Sequence, residues 1–205
     1  MPLKQQMMLI DVLKGDGDMV NQEDPRVFRT RQLIREAFRE LLQHKGFDAI
    51  TIKDIAQRAT INRATFYAHY EDKYALLDEI IEQAFLKMIP GQVANAQEFT
   101  DETCSQLILM TYRYIVDFYQ ICRMDSKSIA TLVDSKIKKM LRQIIESIFM
   151  KGDVHRHARI VSAMTGSAIH GAAHDWLTAG ENDRPDLLVD IVRPYVMNGL
   201  ELYRN

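Results

Sequence analysis

Two cysteines, one tryptophan, five prolines and nine glycines in 205 residues leave out much of what marks other protein classes. Cys104 and Cys122 lie far apart, so they form neither a metal-ligand pair nor a redox pair by spacing. Both fall in apolar helical patterns and read as small buried thiols. No apolar run approaches the length of a bilayer span. The run Met7 to Ile10, broken by Asp11, is far shorter than the core of a secretory signal. Strand-like alternation over a useful length is missing, as is any internal repeat. Large net charge is missing too: at −2 the chain as a whole is no polyanion binder. The expectation is a reduced, cytoplasmic, all-α protein with no membrane association.

What is present is a normal globular balance, 47% hydrophobic and 26% charged, rich in Met, Leu, Ile and Ala. That mixture favours helix. Charge is distributed unevenly. From Arg26 to Ala75 ten Lys and Arg face six Asp and Glu, so this stretch carries +4 and the remainder −6. A basic segment on an acidic body suggests a polyanion-binding part joined to something else.

Residues 1–24 are polar, Gly-containing and non-periodic, and read as a flexible extension. Only Lys4 and Lys14 are basic there, too few for a minor-groove arm. A helical pattern starts at "DPRVFRTRQLIREAF", with Asp24 as cap and Pro25 at the first helical position. Gly46 is expected to cap its C-terminus. Next comes "TIKDIAQRA", where Thr51 can cap and Ile52, Ile55, Ala56 and Ala59 make an inward face. After "TIN" a third short helix begins at Arg63 with Asn62 as cap, and Asp72 can cap a fourth. Further on, "SIATLVDSKIKKMLRQIIESIF" reads as one short and one long helix, and Pro194 as a kink or restart in the last.

Three short helices with a tight turn between the second and third describe a helix-turn-helix. Phe66 is the inward anchor of the third, with Tyr70 packing beside it. Arg63, Ala64, Thr65, Tyr67, Ala68 and His69 then point outward. Arg63 can donate bidentately to guanine, and Ala64 and Ala68 let the backbone approach thymine methyls. Thr65 can reach a base edge or a phosphate, while Tyr67 and His69 can bond phosphate oxygens. Lys73, Thr51 and Lys53 sit at helix starts, where charge and free N–H groups favour phosphate. Thr30 is a weaker candidate on the first helix.

The segment "GFDAITIKDIAQRATINRATFYAHYEDKYALL" resembles the DNA-binding signature of the TetR family of bacterial transcriptional regulators. The Gly before helix two, Thr51, Ile55-Ala56, Ala59, "FYAHY", Lys73 and the Leu pair carry it, over roughly residues 26–80. Thr60 departs from the pattern, since the family usually has Gly at that turn and Thr disfavours positive φ. The resemblance implies a homodimer with recognition helices about one DNA turn (roughly 34–36 Å) apart on a palindromic double-stranded operator. It also implies repression relieved by a small-molecule effector. The alternative is control of the C-terminal domain by a protein partner. The domains expected are 25–74 for DNA binding and 75–205 for effector binding and dimerisation.

In the second half, Leu107, Met110, Tyr114 and Phe118 with Met140 and Ile144 form a Met- and aromatic-rich set that could line an effector pocket. His170 and His174 are spaced for one helix face, yet no third ligand and no general-base Glu accompany them. The pair therefore reads as part of a small-residue helix face for close packing, with no metal, no cofactor and no catalytic residue assigned. The run ending "WLTAG" is similar to the penultimate helix of regulators of dihydroxyacetone kinase operons, whose last two helices usually form the dimer's four-helix bundle. That similarity places the dimer interface at Ser162, Gly166, Ile169, His170, Ala173, Leu177, Leu188, Ile191 and Tyr195.

Overall fold

The computed structural model describes residues 24–122, 127–152, 154, 157–180 and 184–204, without the side chains of 120–128. The expected extension, apart from Asp24, lies outside the described residues, as does the side chain of Cys122. Helices run in the order α1 (Pro25–His44), α2 (Ile52–Arg58), α3 (Arg63–Tyr67), α4 (Lys73–Met88), α5 (Gly91–Ala94), α6 (Asp101–Cys122), α7 (Lys127–Phe149), α8 (Ala158–Thr178) and α9 (Pro185–Glu201). Among the described residues there is no strand, and the fold class is all-α as the composition implies. No helix among them is long and apolar enough to cross a membrane.

Two compact units divide the chain. Among the described residues, 24–84 group with 117–122 and 127–133, and 85–116 group with 134–152, 154, 157–180 and 184–204. The partition thus differs from the expected boundary after residue 74. Most of α4 belongs with the N-terminal helices because its polar side chains are bonded to α1, as described below.

Within the first unit, the caps follow from the side chains. Asp24 accepts from the Arg26 N–H at 2.9 Å, and Asp72 accepts from those of Tyr74 and Ala75 at 2.9 and 2.8 Å. α1 ends differently from expectation. Lys45, extended, is its C-cap, while Gly46 at φ −60° opens a 3-10 turn, Phe47–Ala49, that the sequence pattern did not show. Phe47 is fully buried against Phe38 with ring centres 6.1 Å apart. A hydrophobic side chain in the loop, not a glycine, stops the helix. Burying such a ring contributes about 1.5–3 kcal/mol.

The turn between α2 and α3 is a Schellman motif. The Ile61 N–H reaches the Ala56 carbonyl at 3.0 Å and the Thr60 N–H reaches Gln57 at 3.2 Å. That pattern needs a left-handed residue after the C-cap, and Thr60 occupies it at φ +56°. The departure from glycine therefore leaves the turn geometry unchanged and carries strain instead.

In the second unit, α8 packs on α9. α7 is one unbroken helix rather than a short and a long one, since no Gly or Pro interrupts Lys127–Phe149. Pro194 sits inside a continuous α9. It lies on an exposed side, where water can satisfy the carbonyl it leaves unbonded.

A left-handed non-glycine residue costs about 1–2 kcal/mol, partly offset by glycine's extra chain entropy of about 0.5–1 kcal/mol. Thr60→Gly is thus expected to raise unfolding free energy by ~0.5–1 kcal/mol. A urea titration would show it as a higher midpoint at unchanged slope.

Candidate nucleic-acid interface

The interface rests on two capped helix starts. At α2, the Thr51 hydroxyl accepts from the Asp54 N–H at 3.1 Å, and Asp54 accepts from the Thr51 N–H at 2.9 Å, a complete capping box. Bonds from the Thr51 backbone and hydroxyl, then Lys45 at 3.3 Å, pull the Asp54 carboxyl down to about 2. Thr51 also donates its hydroxyl to Asp54, so the proton it would offer a phosphate is engaged. Lys53 projects beside it, exposed.

At α3, Asn62 Oδ1 accepts from the Thr65 N–H at 2.7 Å and from the Thr65 hydroxyl at 2.9 Å. The helix has five residues, too few to persist alone. Phe66 and Tyr70 hold it, both buried, with ring centres 5.8 Å apart. Arg63, Ala64 and Ala68 are exposed and Tyr67 is 56% exposed, its edge against Phe66. Thr65 and His69 are half-buried. Thr30, half-buried on α1, donates back to the Arg26 carbonyl at 2.8 Å.

Lys73 departs from expectation. Its Nζ donates to the carbonyls of Phe47 and Ile50, each at 2.9 Å, and of Asp48 at 3.3 Å, and lies 4.4 Å from the Phe47 ring centre. The ammonium closes the 3-10 turn against the start of α4, its donors taken up by carbonyls of the chain. Spacing placed it correctly at a helix start but could not reveal carbonyls over twenty residues away.

A second cluster had no sequence signal. Glu79 of α4 accepts from Arg31 at 2.5 Å, Arg35 at 2.8 Å, Gln83 at 3.0 Å and the Tyr70 hydroxyl at 3.2 Å. Burial and the Glu79 charge hold the Tyr70 phenol above its usual range, against Arg31 and Arg35. The hydroxyl consequently stays a donor.

In the second half, Leu107, Met110, Tyr114, Met140 and Ile144 are buried in one unit, whereas Phe118, also buried, groups with the other. The dimer expectation needs correction. Ser162, Gly166, Ile169, His170, Ala173 and Leu188 are buried within their own chain. Leu177 is half-buried, and Ile191 and Tyr195 are 60% and 75% exposed. A Cβ on Gly166 would meet the Arg142 N at 3.3 Å and Leu141 Cβ at 3.4 Å, so the small residues admit α7, not a second copy. The large exposed apolar residues of α8 and α9 are Ile160, Met164, Ile191 and Tyr195, with Leu202 at the C-cap of α9.

His170 Nε2 lies 3.2 Å from Asp134 Oδ1. Burial lowers its pKa, opposed by Asp134 and reinforced by Lys138 and His174. Among the described residues no three His, Cys, Asp or Glu side chains are grouped to hold a metal.

Residues 34–80 match the model of the bacterial regulatory proteins, tetR family. The chain is 40% identical over 76 residues to an uncharacterized HTH-type transcriptional regulator of Bacillus subtilis (strain 168), covering 37% of this chain and 20% of that one. Against the tetracycline repressor protein class D of Escherichia coli it is 27% identical over 179 residues, 84% of this chain and 78% of the other. The solved structure of the dihydroxyacetone kinase operon activator DhaS shares the fold, with TM-score 0.54 at 18% identity over 86% of this chain and 98% of that one. The chain thus spans about a fifth of the length of the first of these relatives. All three are named as regulators of gene expression, none as an enzyme.

Removing the Lys73 ammonium leaves the two part-buried carbonyls of Phe47 and Ile50 unbonded, at about 1–3 kcal/mol for each such group. Lys73→Met is expected to lower the unfolding free energy by at least ~1 kcal/mol. Denaturant unfolding of the variant beside the parent protein checks it, and equal midpoints would return Lys73 to the phosphate role.

Proposed function

We propose that this chain, whose N-terminal domain is that of the tetR family, is a DNA-binding transcriptional repressor acting as a homodimer on a palindromic operator. The observation that carries the reading is α3 itself. Its buried Phe66, with Tyr70 just beyond its end, turns Arg63, Ala64, Tyr67 and Ala68 to the surface as one close-approach face. Arg63 reads guanine in the major groove, Ala64 and Ala68 admit the backbone, and Thr65 touches a base edge through its remaining lone pair. Tyr67, His69 and Lys53 take phosphates, while the hydroxyl protons of Thr51 and Thr30 are already donated within the chain. Lys73 acts indirectly, by holding the turn that leads into α2.

Dimerisation falls to the exposed stripes of the two packed last helices. Ile160, Met164, Ser167 and Gly171 recur along α8, and Ile191 and Tyr195 along α9, with Leu202 at its C-cap. Among the described residues, nothing beyond the helix's own backbone and chain neighbours lies within 4 Å of a Cβ built on Gly171 or Gly199, so both leave room for a partner helix. Two such pairs would make a four-helix bundle and remove the apolar stripes from water. Repression relieved by a small effector is supported by likeness to a protein named as the tetracycline repressor. Its site is placed among the buried Leu107, Met110, Tyr114, Met140 and Ile144 of the second unit.

The test is selection of duplexes from a random-sequence pool by the purified full chain. A palindromic duplex should be enriched, and Arg63→Ala should weaken its binding by ~1–3 kcal/mol while leaving a random duplex almost unaffected. Failure to enrich any duplex would sink the reading. For the dimer, Ile191→Asp with Tyr195→Glu should give a monomer in sedimentation. A variant that still sediments as a dimer would place the interface elsewhere.

A further inference from the structure

α3 is held by two side chains that differ in kind. Phe66 is buried apolar surface, which resists withdrawal but not rotation, since the hydrophobic effect has no direction. Tyr70, three residues past the end of α3, adds direction, because its hydroxyl donates to Glu79 at 3.2 Å. Glu79 is itself fixed from two sides. Both its oxygens are taken by α1 guanidinium groups, Arg31 at 2.5 Å and Arg35 at 2.8 Å, and Gln83 one turn along α4 adds a bond at 3.0 Å. The Arg31 guanidinium also lies 5.2 Å from the centre of the Tyr70 ring. With the Glu79 and Arg35 side chains only 20% and 11% exposed, water competes little for these bonds.

One carboxylate therefore joins α1, α4 and the segment that terminates the recognition helix. Ion pairs and hydrogen bonds at these lengths weaken steeply when an element shifts by an ångström. A base-reading helix depends on placement at that scale, whereas phosphate contact through flexible cations does not.

We infer that Glu79 is a positioning residue for DNA recognition, setting the orientation of α3 through Tyr70 and so determining discrimination between operator and random sequence. The inference rests on the DNA-binding reading above. It concerns a residue that does not touch DNA, so its signature is a loss of discrimination rather than of binding.

The experiment uses the full chain, the duplex enriched by the parent protein and a duplex of randomised sequence. Tyr70→Phe removes only the hydroxyl and keeps the ring and both ion pairs. Glu79→Gln keeps shape and removes the charge. Tyr70→Phe, which loses one charge-assisted bond, should bind the enriched duplex about tenfold more weakly; Glu79→Gln, which also loses both ion pairs, should weaken it at least as much, and each should bind the random duplex within about twofold of the parent. The double variant should be no worse than Glu79→Gln alone, because the Tyr70 hydroxyl acts only through Glu79. Affinities for the two duplexes that fall in parallel, or do not fall, would overturn the inference. Tyr70→Phe decides the matter if Glu79→Gln fails to fold. A parent protein that enriches no duplex removes the DNA-binding reading and this inference together; enrichment with unchanged discrimination in Tyr70→Phe removes this inference alone.

Discussion

The five residues of α3 cannot form a stable helix by themselves, and the buried pair Phe66 and Tyr70 supplies the missing stability. Everything proposed about DNA recognition depends on that tertiary anchorage. Once the two rings are inside, helical geometry leaves Arg63, Ala64, Tyr67 and Ala68 no direction but outward. The preceding turn is equally constrained. Only a left-handed residue closes the Schellman bonds, and Thr60 adopts that conformation despite its branched Cβ.

Polar groups then secure what the rings begin. Of the ten basic side chains between Arg26 and Ala75, Arg31 and Arg35 pair with Glu79, Lys45 with Asp54, Arg58 with Glu40, and Lys73 binds carbonyls. Half of the positive charge counted from the sequence is thus engaged in assembling the domain. Exposed pairs such as Arg58 with Glu40 contribute little. The less exposed Glu79 group and the Lys73 ammonium connect separate elements and matter more to their placement.

The C-terminal helices show the opposite difficulty. α8 is apolar and small on more than one side, so periodicity finds its faces without telling which partner each meets. Gly166 and Ala173 fit the expected pattern of a close helix contact, but the contact is made within the chain. Ile191 and Tyr195, from the same expectation, remain at the surface, as do Ile160 and Met164. A face buried by its own chain and a face awaiting another copy require the same residues. Only the position of α7 separates them.

The amino-acid order by itself determined the helices of the N-terminal domain, the caps at Asp24, Thr51, Asn62 and Asp72, and the inward roles of Phe66 and Tyr70. These follow from interactions within a few residues, where spacing and side-chain chemistry suffice. It also carried the family likeness that residues 34–80 bear out. The tertiary structure decided that Lys73 serves the fold and that Glu79 gathers three elements. It also decided which sides of α8 and α9 stay in water. Those outcomes join residues as far as 48 positions apart, and local pattern holds no record of a pairing that exists only after the chain has packed.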